Sequence, residues 1–309
     1  MMGNTQNLLA ITIDMEDWYH VPSVCGSPFS TYENVDEFFK KWEGKYDYLS
    51  EPTNRILNLL DKFNVNATFF VVADLVEHYP GLIESIAEAG HEIACHGLHH
   101  ECVIDPKNKT PLKDREIFYN ETITAKNILE RIAGKEVIGY RSPNALIAGW
   151  MIDILEKIGF RYDSSVSVNS LYNKTDSLLL GVGSSPYIPK KTSLEPSDGA
   201  RDITECPFAY YDLGIKIPAS GGPMLRFLGE HIIYSGLMQS LQRGTTIFYF
   251  HPIDIAYEKF PVVGNNRPFY WLIKGHIVER RIEKILQKTE KIPKVMLKDL
   301  IHSPAKTGM

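Results

Sequence analysis

Apolar and polar positions alternate along the first half of the chain in blocks that read as strand, then helix. Residues 8–13 form an apolar run long enough for a buried strand. Ser50-Glu51-Pro52 offers a cap, an early acid and a first-turn proline, and Ile56, Leu59, Leu60 and Phe63 follow at helical spacing, with Asn64 able to end the helix. Residues 67–72, β-branched and aromatic, predict a strand. Residues 80–89 predict a helix with Leu82, Ile83 and Ile86 inward and Gly90 behind it. Strands are expected at 92–95, 137–140 and 160–162, and helices at 114–133 and 149–158, closed by Gly134 and Gly159. Past Ser165 the pattern loosens. Loops and short hairpins are expected over 171–200, a strand at 202–205, a turn at Gly221-Gly222-Pro223, helices at 224–243 and 270–289, and a strand at 245–250. Residues 21–50 have no clean period. They carry Phe29, Tyr32, Phe38, Phe39, Trp42, Tyr46 and Tyr48, and read as a surface loop packed by its own aromatics.

Strands alternating with helices imply a parallel sheet with right-handed crossovers, and about seven such units in this length favour a barrel over an open sheet. In such barrels the chemistry collects at the C-terminal ends of the strands. Those ends here read Asp14-Met15-Glu16-Asp17, His96-Gly97-Leu98-His99-His100, Arg141, Asp163, Glu205 and His251. His96 and His100 are four residues apart. If 97–100 turn helically, both imidazoles project to one side and can share an ion with a carboxylate.

Composition narrows the class. The 309 residues are 44% hydrophobic and 23% charged with net charge −5, an ordinary globular balance. No basic run suggests nucleic acid, and no stretch has the apolar length of a membrane span. Residues 1–9 are polar without an apolar core, so no secretory signal is read there. Four cysteines (Cys25, Cys95, Cys102, Cys206) make no disulfide framework, and a cytoplasmic setting is expected. The expected organisation is one domain over 8–290 with a tail at 291–309.

The order Asp-x-Glu-Asp, His-Gly-x-x-His, Arg-Ser-Pro, Tyr-Asp-Ser-Ser and Phe-His-Pro resembles the motifs of the polysaccharide deacetylase (NodB-homology) family. The likeness runs over about residues 8–254 and is reinforced by Asn66-Ala-Thr-Phe-Phe and Gly90-His-Glu-Ile-Ala-Cys-His. Residues near Trp271 and the charged helix behind it resemble a subgroup associated with bacterial surface-polysaccharide genes. The resemblance implies a distorted (β/α)7 barrel and metal-dependent hydrolysis of an N-acyl sugar, with Zn²⁺ the first choice of divalent transition metal. It matches Asp14 to the catalytic base, Arg141 to the residue pairing with that base, and His251 to the general acid. Asp163 corresponds to the acid orienting that histidine, and His96 and His100 to metal ligands. The family's first motif commonly has two adjacent aspartates, the second on the metal. Met15 stands there here, so the third ligand falls to Glu16 or Asp17, and a one-residue spacing selects Glu16.

The chemistry is coherent on its own terms. Hydrolysing an amide needs an activated water, a base for its proton, stabilisation of the oxyanion and an acid for the departing nitrogen. The substrate expected is a carbohydrate, with nucleotide- and lipid-linked intermediates included. The rivals are a small-amide hydrolase or deformylase of the same fold, a non-catalytic glycan-binding barrel, and a structural zinc cluster using Cys95 and Cys102. His20, His91, His99 and Glu205 are expected to be structural or solvent-facing.

Overall fold

Both faces of the first strand are covered, and that explains its largely apolar sequence. The computed structural model describes residues 7–21, 32–42, 47–257 and 272–301, and all seven residues of β1 (Leu9–Met15) are buried. The other strands are β2 (Thr68–Val71), β3 (Glu92–Cys95), β4 (Gly139–Tyr140), β5 (Tyr162–Asp163), β6 (Thr204–Glu205), the hairpin β7 (Tyr210–Asp212) and β8 (Lys216–Pro218), β9 (Thr246–Phe250) and β10 (Lys294–Val295). The helices are α1 (Val35–Trp42), α2 (Ser50–Lys62), α3 (Leu75–His78), α4 (Leu82–Glu88), α5 (Arg115–Ala133), α6 (Gly149–Ile158), α7 (Gly222–Arg243), α8 (Pro252–Ile255) and α9 (His276–Lys288).

Seven parallel strands, in the order β9-β1-β2-β3-β4-β5-β6, curl into a half-barrel with β9 and β6 at its two edges. The architecture is the distorted (β/α)7 barrel expected from the sequence. Among the described residues no helix is long and apolar enough to cross a membrane.

Side-chain alternation divides the core. Ala10, Phe70, Ala94, Tyr162, Cys206 and Ile247 meet inside the curl. Leu9, Ile11, Ile13, Phe69, Val71, Ile93, Phe248 and Phe250 pack outward against the helices. At or just past the strand ends, the inward parity reaches Asp14, His96, Arg141 and His251. It leaves Asp163 and Glu205 on the opposite parity.

Three local expectations need correction. Residues 97–100 do not turn helically: Gly97 (φ 85°) and His100 (φ 59°) are left-handed, and these two reversals aim the second imidazole. The irregular stretch contains α1, whose Phe38 is fully buried and meets Phe39 and Tyr32 edge-on. Phe29, Tyr46 and Trp271, named in the sequence reading, lie outside the described residues. Residues 294–300 are not a tail. β10 pairs with Leu9 and Ala10 of β1, and Leu297 is buried, its backbone N–H donating to Thr68 Oγ1 at 2.9 Å.

Candidate active site and metal centre

His96 follows β3 directly. Its Nδ1–H donates to the Arg141 carbonyl at 2.8 Å, which turns Nε2 into the mouth of the half-barrel. His100 Nδ1–H donates to the His20 carbonyl at 3.1 Å, and its Nε2 also points inward. Both rings are therefore held in the tautomer that leaves a lone pair on Nε2. Both Nε2 atoms are buried and, among the described residues, lack a hydrogen-bond partner. The Glu16 carboxylate sits 3.7 Å from His96 Nε2 and 3.4 Å from His100 Nε2. Burial works against its charge, but His100 and His251 hold the Glu16 carboxyl well below the usual carboxylate range. Two orphaned imidazole nitrogens and an ionised carboxylate, all within 4.8 Å of one another, are a donor set that fits a divalent transition metal with open positions.

Asp14, at the end of β1, is bound by the Arg141 guanidinium at 2.5 Å. Arg141 is almost fully enclosed. It also donates to Thr12 Oγ1 (3.0 Å), the Ser164 carbonyl (2.8 Å) and Ser164 Oγ (2.8 Å), and lies over the Phe70 ring at 3.9 Å. With every nitrogen of the guanidinium engaged, Asp14 is fixed in place. Across the mouth, His251 Nε2 stands 3.9 Å from Asp14 and 3.2 Å from Glu16.

The carboxylate that orients His251 is Asp254, whose Oδ2 takes the Nδ1–H at 2.9 Å and the His251 backbone N–H at 2.8 Å. Burial opposes the charge on this imidazole, but Asp254 and Glu16 raise its pKa well above the usual histidine value. Asp163, expected in that role, does not reach it. Its strand is two residues long, Tyr162 takes the inward place, and the Asp163 carboxylate accepts from Ser165 Oγ (2.7 Å) and Ser165 N (3.1 Å). Asp163 and Glu205 instead form a buried acid pair, and Glu205 Oε1 also accepts from Val166 N at 3.0 Å. Asp17 turns away from the histidines. It caps the short helical turn Trp18–His20 and accepts from the Tyr79 hydroxyl.

His20, which the sequence suggested was ordinary, orients His100 through its carbonyl, while its Nε2–H donates to Asp74 at 3.0 Å. The neighbouring His99 also binds Asp74, at 3.1 Å. Asp254, absent from the sequence expectations, does carry a sequence signal: an acid three residues after a histidine, with proline between, is a helix-capping pattern. Lys174 gave no signal. It donates to the Asn144 carbonyl at 2.8 Å, and burial pushes its ammonium below its usual range against the pull of Cys102, Glu16 and Asp14. Burial pushes the Cys95 thiol up to about 12, and among the described residues neither Cys95 nor Cys102 joins a metal-holding group.

Fold and site together define a (β/α)7-barrel protein with a two-histidine, one-carboxylate cluster at the C-terminal ends of its strands. Comparison with known proteins gives the family. The polysaccharide deacetylase family model matches residues 41–162, and a domain of unknown function, DUF3473, matches residues 179–292. The chain carries a polysaccharide deacetylase domain of the NodB-homology type. Among its relatives is a peptidoglycan deacetylase-like protein of Gibberella zeae, 33% identical over 37% of this chain and 32% of that protein. Another is the peptidoglycan-N-acetylmuramic acid deacetylase PdaA of Bacillus subtilis, 27% identical over 52% of this chain and 65% of PdaA. The matches thus span about one third to two thirds of these relatives' lengths. A solved Mycobacterium smegmatis structure, named provisionally as a polysaccharide deacetylase, shares the fold. Its TM-score is 0.61 at 20% identity, over 97% of this chain and 91% of that one.

Proposed function

We propose that the protein is a metal-dependent hydrolase that removes an N-acyl group, first of all acetyl, from a carbohydrate. The observation that carries this reading is the pair of buried, unpartnered Nε2 atoms of His96 and His100 beside the ionised Glu16, flanked by Asp14 and His251. The relatives, a peptidoglycan deacetylase-like protein and a peptidoglycan-N-acetylmuramic acid deacetylase, support the substrate class. Glu16, His96 and His100 would hold the metal. Zn²⁺ suits two imidazoles and a carboxylate best, and once bound it would act as a Lewis acid towards water and the acyl oxygen.

The protein's own groups do the proton work. Asp14, kept in place by Arg141, takes a proton from the attacking water as the new carbon–oxygen bond forms. His251 gives its Nε2 proton to the amide nitrogen as the carbon–nitrogen bond breaks, so that acetate and a free amine leave. Asp254 keeps Nδ1 occupied, which reserves Nε2 for this transfer. Nucleotide- and lipid-linked sugars are included in that substrate class. The free thiols of Cys95, Cys102 and Cys206 support a reducing, cytoplasmic setting, which recovery of the native protein outside the inner membrane would overturn.

The test is acetate and formate release by zinc-loaded protein from N-acetylglucosamine oligomers, peptidoglycan fragments and nucleotide-linked N-acetyl sugars. Release that disappears on chelation and returns with metal is expected. Undiminished turnover after metal removal would overturn the reading, and glycan binding without release would favour a non-catalytic barrel.

A further inference from the structure

The polysaccharide deacetylase model ends at residue 162, and His251 falls in the DUF3473 stretch. That stretch also supplies what surrounds His251. The Gly221-Gly222-Pro223 turn at the start of α7 lies directly against the imidazole. A Cβ on Gly222 would come within 3.0 Å of His251 Cε1 and 3.1 Å of Nδ1, and one on Gly221 would strike the Tyr249 ring. One turn further along α7, Arg226 Nε meets Asp254 Oδ1 at 2.7 Å, and Nη2 donates to the Ile253 carbonyl at 3.3 Å. Both partners are enclosed, with Arg226 2% and Asp254 1% exposed. Arg281 of α9 donates to the carbonyls of Leu225 (3.0 Å) and Arg226 (2.7 Å), tying down the helix that presents the guanidinium.

A carboxylate this deeply buried keeps its charge only beside a cation. One oxygen of Asp254 is held by Arg226, and the other holds His251 Nδ1–H. The arginine therefore fixes the carboxylate, and the carboxylate fixes the ring. We propose that Arg226 is a positioning residue for the general acid, acting through Asp254, with Gly222 as the surface on which the imidazole rests. The DUF3473 stretch is then the acid half of the active site, not an appendage to the barrel. The proposal rests on the reading of His251 as general acid.

Two measurements test it. In the first, acetate release from an N-acetylglucosamine oligomer is followed for zinc-loaded wild type, Arg226→Met, Arg226→Lys, Asp254→Asn, the Arg226→Met/Asp254→Asn pair and His251→Ala. Arg226→Met should lower kcat roughly ten- to hundredfold with KM and zinc content unchanged. Arg226→Lys should recover part of the loss, as should added ethylguanidinium with Arg226→Ala. The double variant, which buries no lone charge and so guards against misfolding, should be no slower than Asp254→Asn. Inactive His251→Ala beside normal Arg226→Met would overturn this proposal alone. Active His251→Ala would overturn the general-acid reading beneath it. The second measurement needs no substrate: the low-field proton resonance of His251 Nδ1–H should be present in wild type, lost in Asp254→Asn and displaced in Arg226→Met. An unchanged resonance in Arg226→Met would overturn the proposal.

Discussion

Glu16 faces three imidazoles, with His251, His100 and His96 at 3.2, 3.4 and 3.7 Å, whereas the carboxylate of Asp17, one residue on, caps the Trp18–His20 turn and accepts from the Tyr79 hydroxyl. The three acids of the first motif should therefore separate on substitution. Glu16→Gln should strip most bound metal, as measured by elemental analysis after dialysis. Asp14→Asn should keep the metal but lose roughly 10²- to 10⁴-fold in turnover. Asp17→Asn should keep both, at a stability cost of roughly 1–3 kcal/mol from the weakened Tyr79 and helix-cap bonds. The Asp163–Glu205 pair gives a pH signature. Burial, and for Glu205 also its neighbour's charge, raises both carboxyls, so the folded pair keeps a proton that unfolded chains release near pH ~4. Its stabilisation is complete below that pH and drains away as pH rises towards the raised value. Glu205→Gln should flatten the fall in melting temperature as pH rises above about 4, and parallel curves for the two proteins would contradict the assignment.

At the level of elements, the strand ends were legible because short apolar runs stop at titratable residues, and Asp14, His96, Arg141 and His251 all continue an inward alternation. Asp163 was misjudged because a two-residue strand offers no alternation to read, so its parity came only with the neighbours of Tyr162. The loop between the metal histidines was misjudged for another reason. Four-residue spacing suggested a helical turn, whereas left-handed Gly97 and His100 do the aiming. Gly97 packs under Pro143, whose Cγ would lie 3.3 Å from an added Cβ. Gly97→Ala should cost roughly 1–3 kcal/mol and weaken zinc binding. Calorimetric melts with and without zinc would show both effects. An equal melting shift in the two conditions would mean that the loop's shape does not matter to the metal.

For the whole molecule, the C-terminal segment is structural. β10 extends the edge of β1 beneath β2, Lys298 N donates to Glu92 Oε2 at 3.1 Å, and the same carboxylate takes Thr68 Oγ1 at 2.6 Å and Tyr162 hydroxyl at 2.9 Å. Periodicity could not reveal this, since two paired residues and a single buried leucine leave no pattern in a sequence. Ending the chain after Glu290 should expose the lower end of the half-barrel and lower the melting temperature by roughly 5 °C or more, with zinc content per folded molecule retained. An unchanged melting temperature would return residues 291–301 to the status of a tail.

The position of β1 also governs the order in which the protein can form. It is made before the other described strands, yet its register with β9 joins Leu9–Ile13 to residues 246–250, and its register with β10 joins Leu9 and Ala10 to residues 294 and 295. β2 can pair early with Thr12–Met15, but the lower half of β1 presents an open, apolar edge until residues 246–250 and 294–295 have been made. Such late, long-range pairing is slow, and an unpaired apolar edge invites intermolecular association meanwhile. Nascent chains stalled before residue 246 should therefore require a chaperone to stay soluble, whereas chains extended past residue 301 should not.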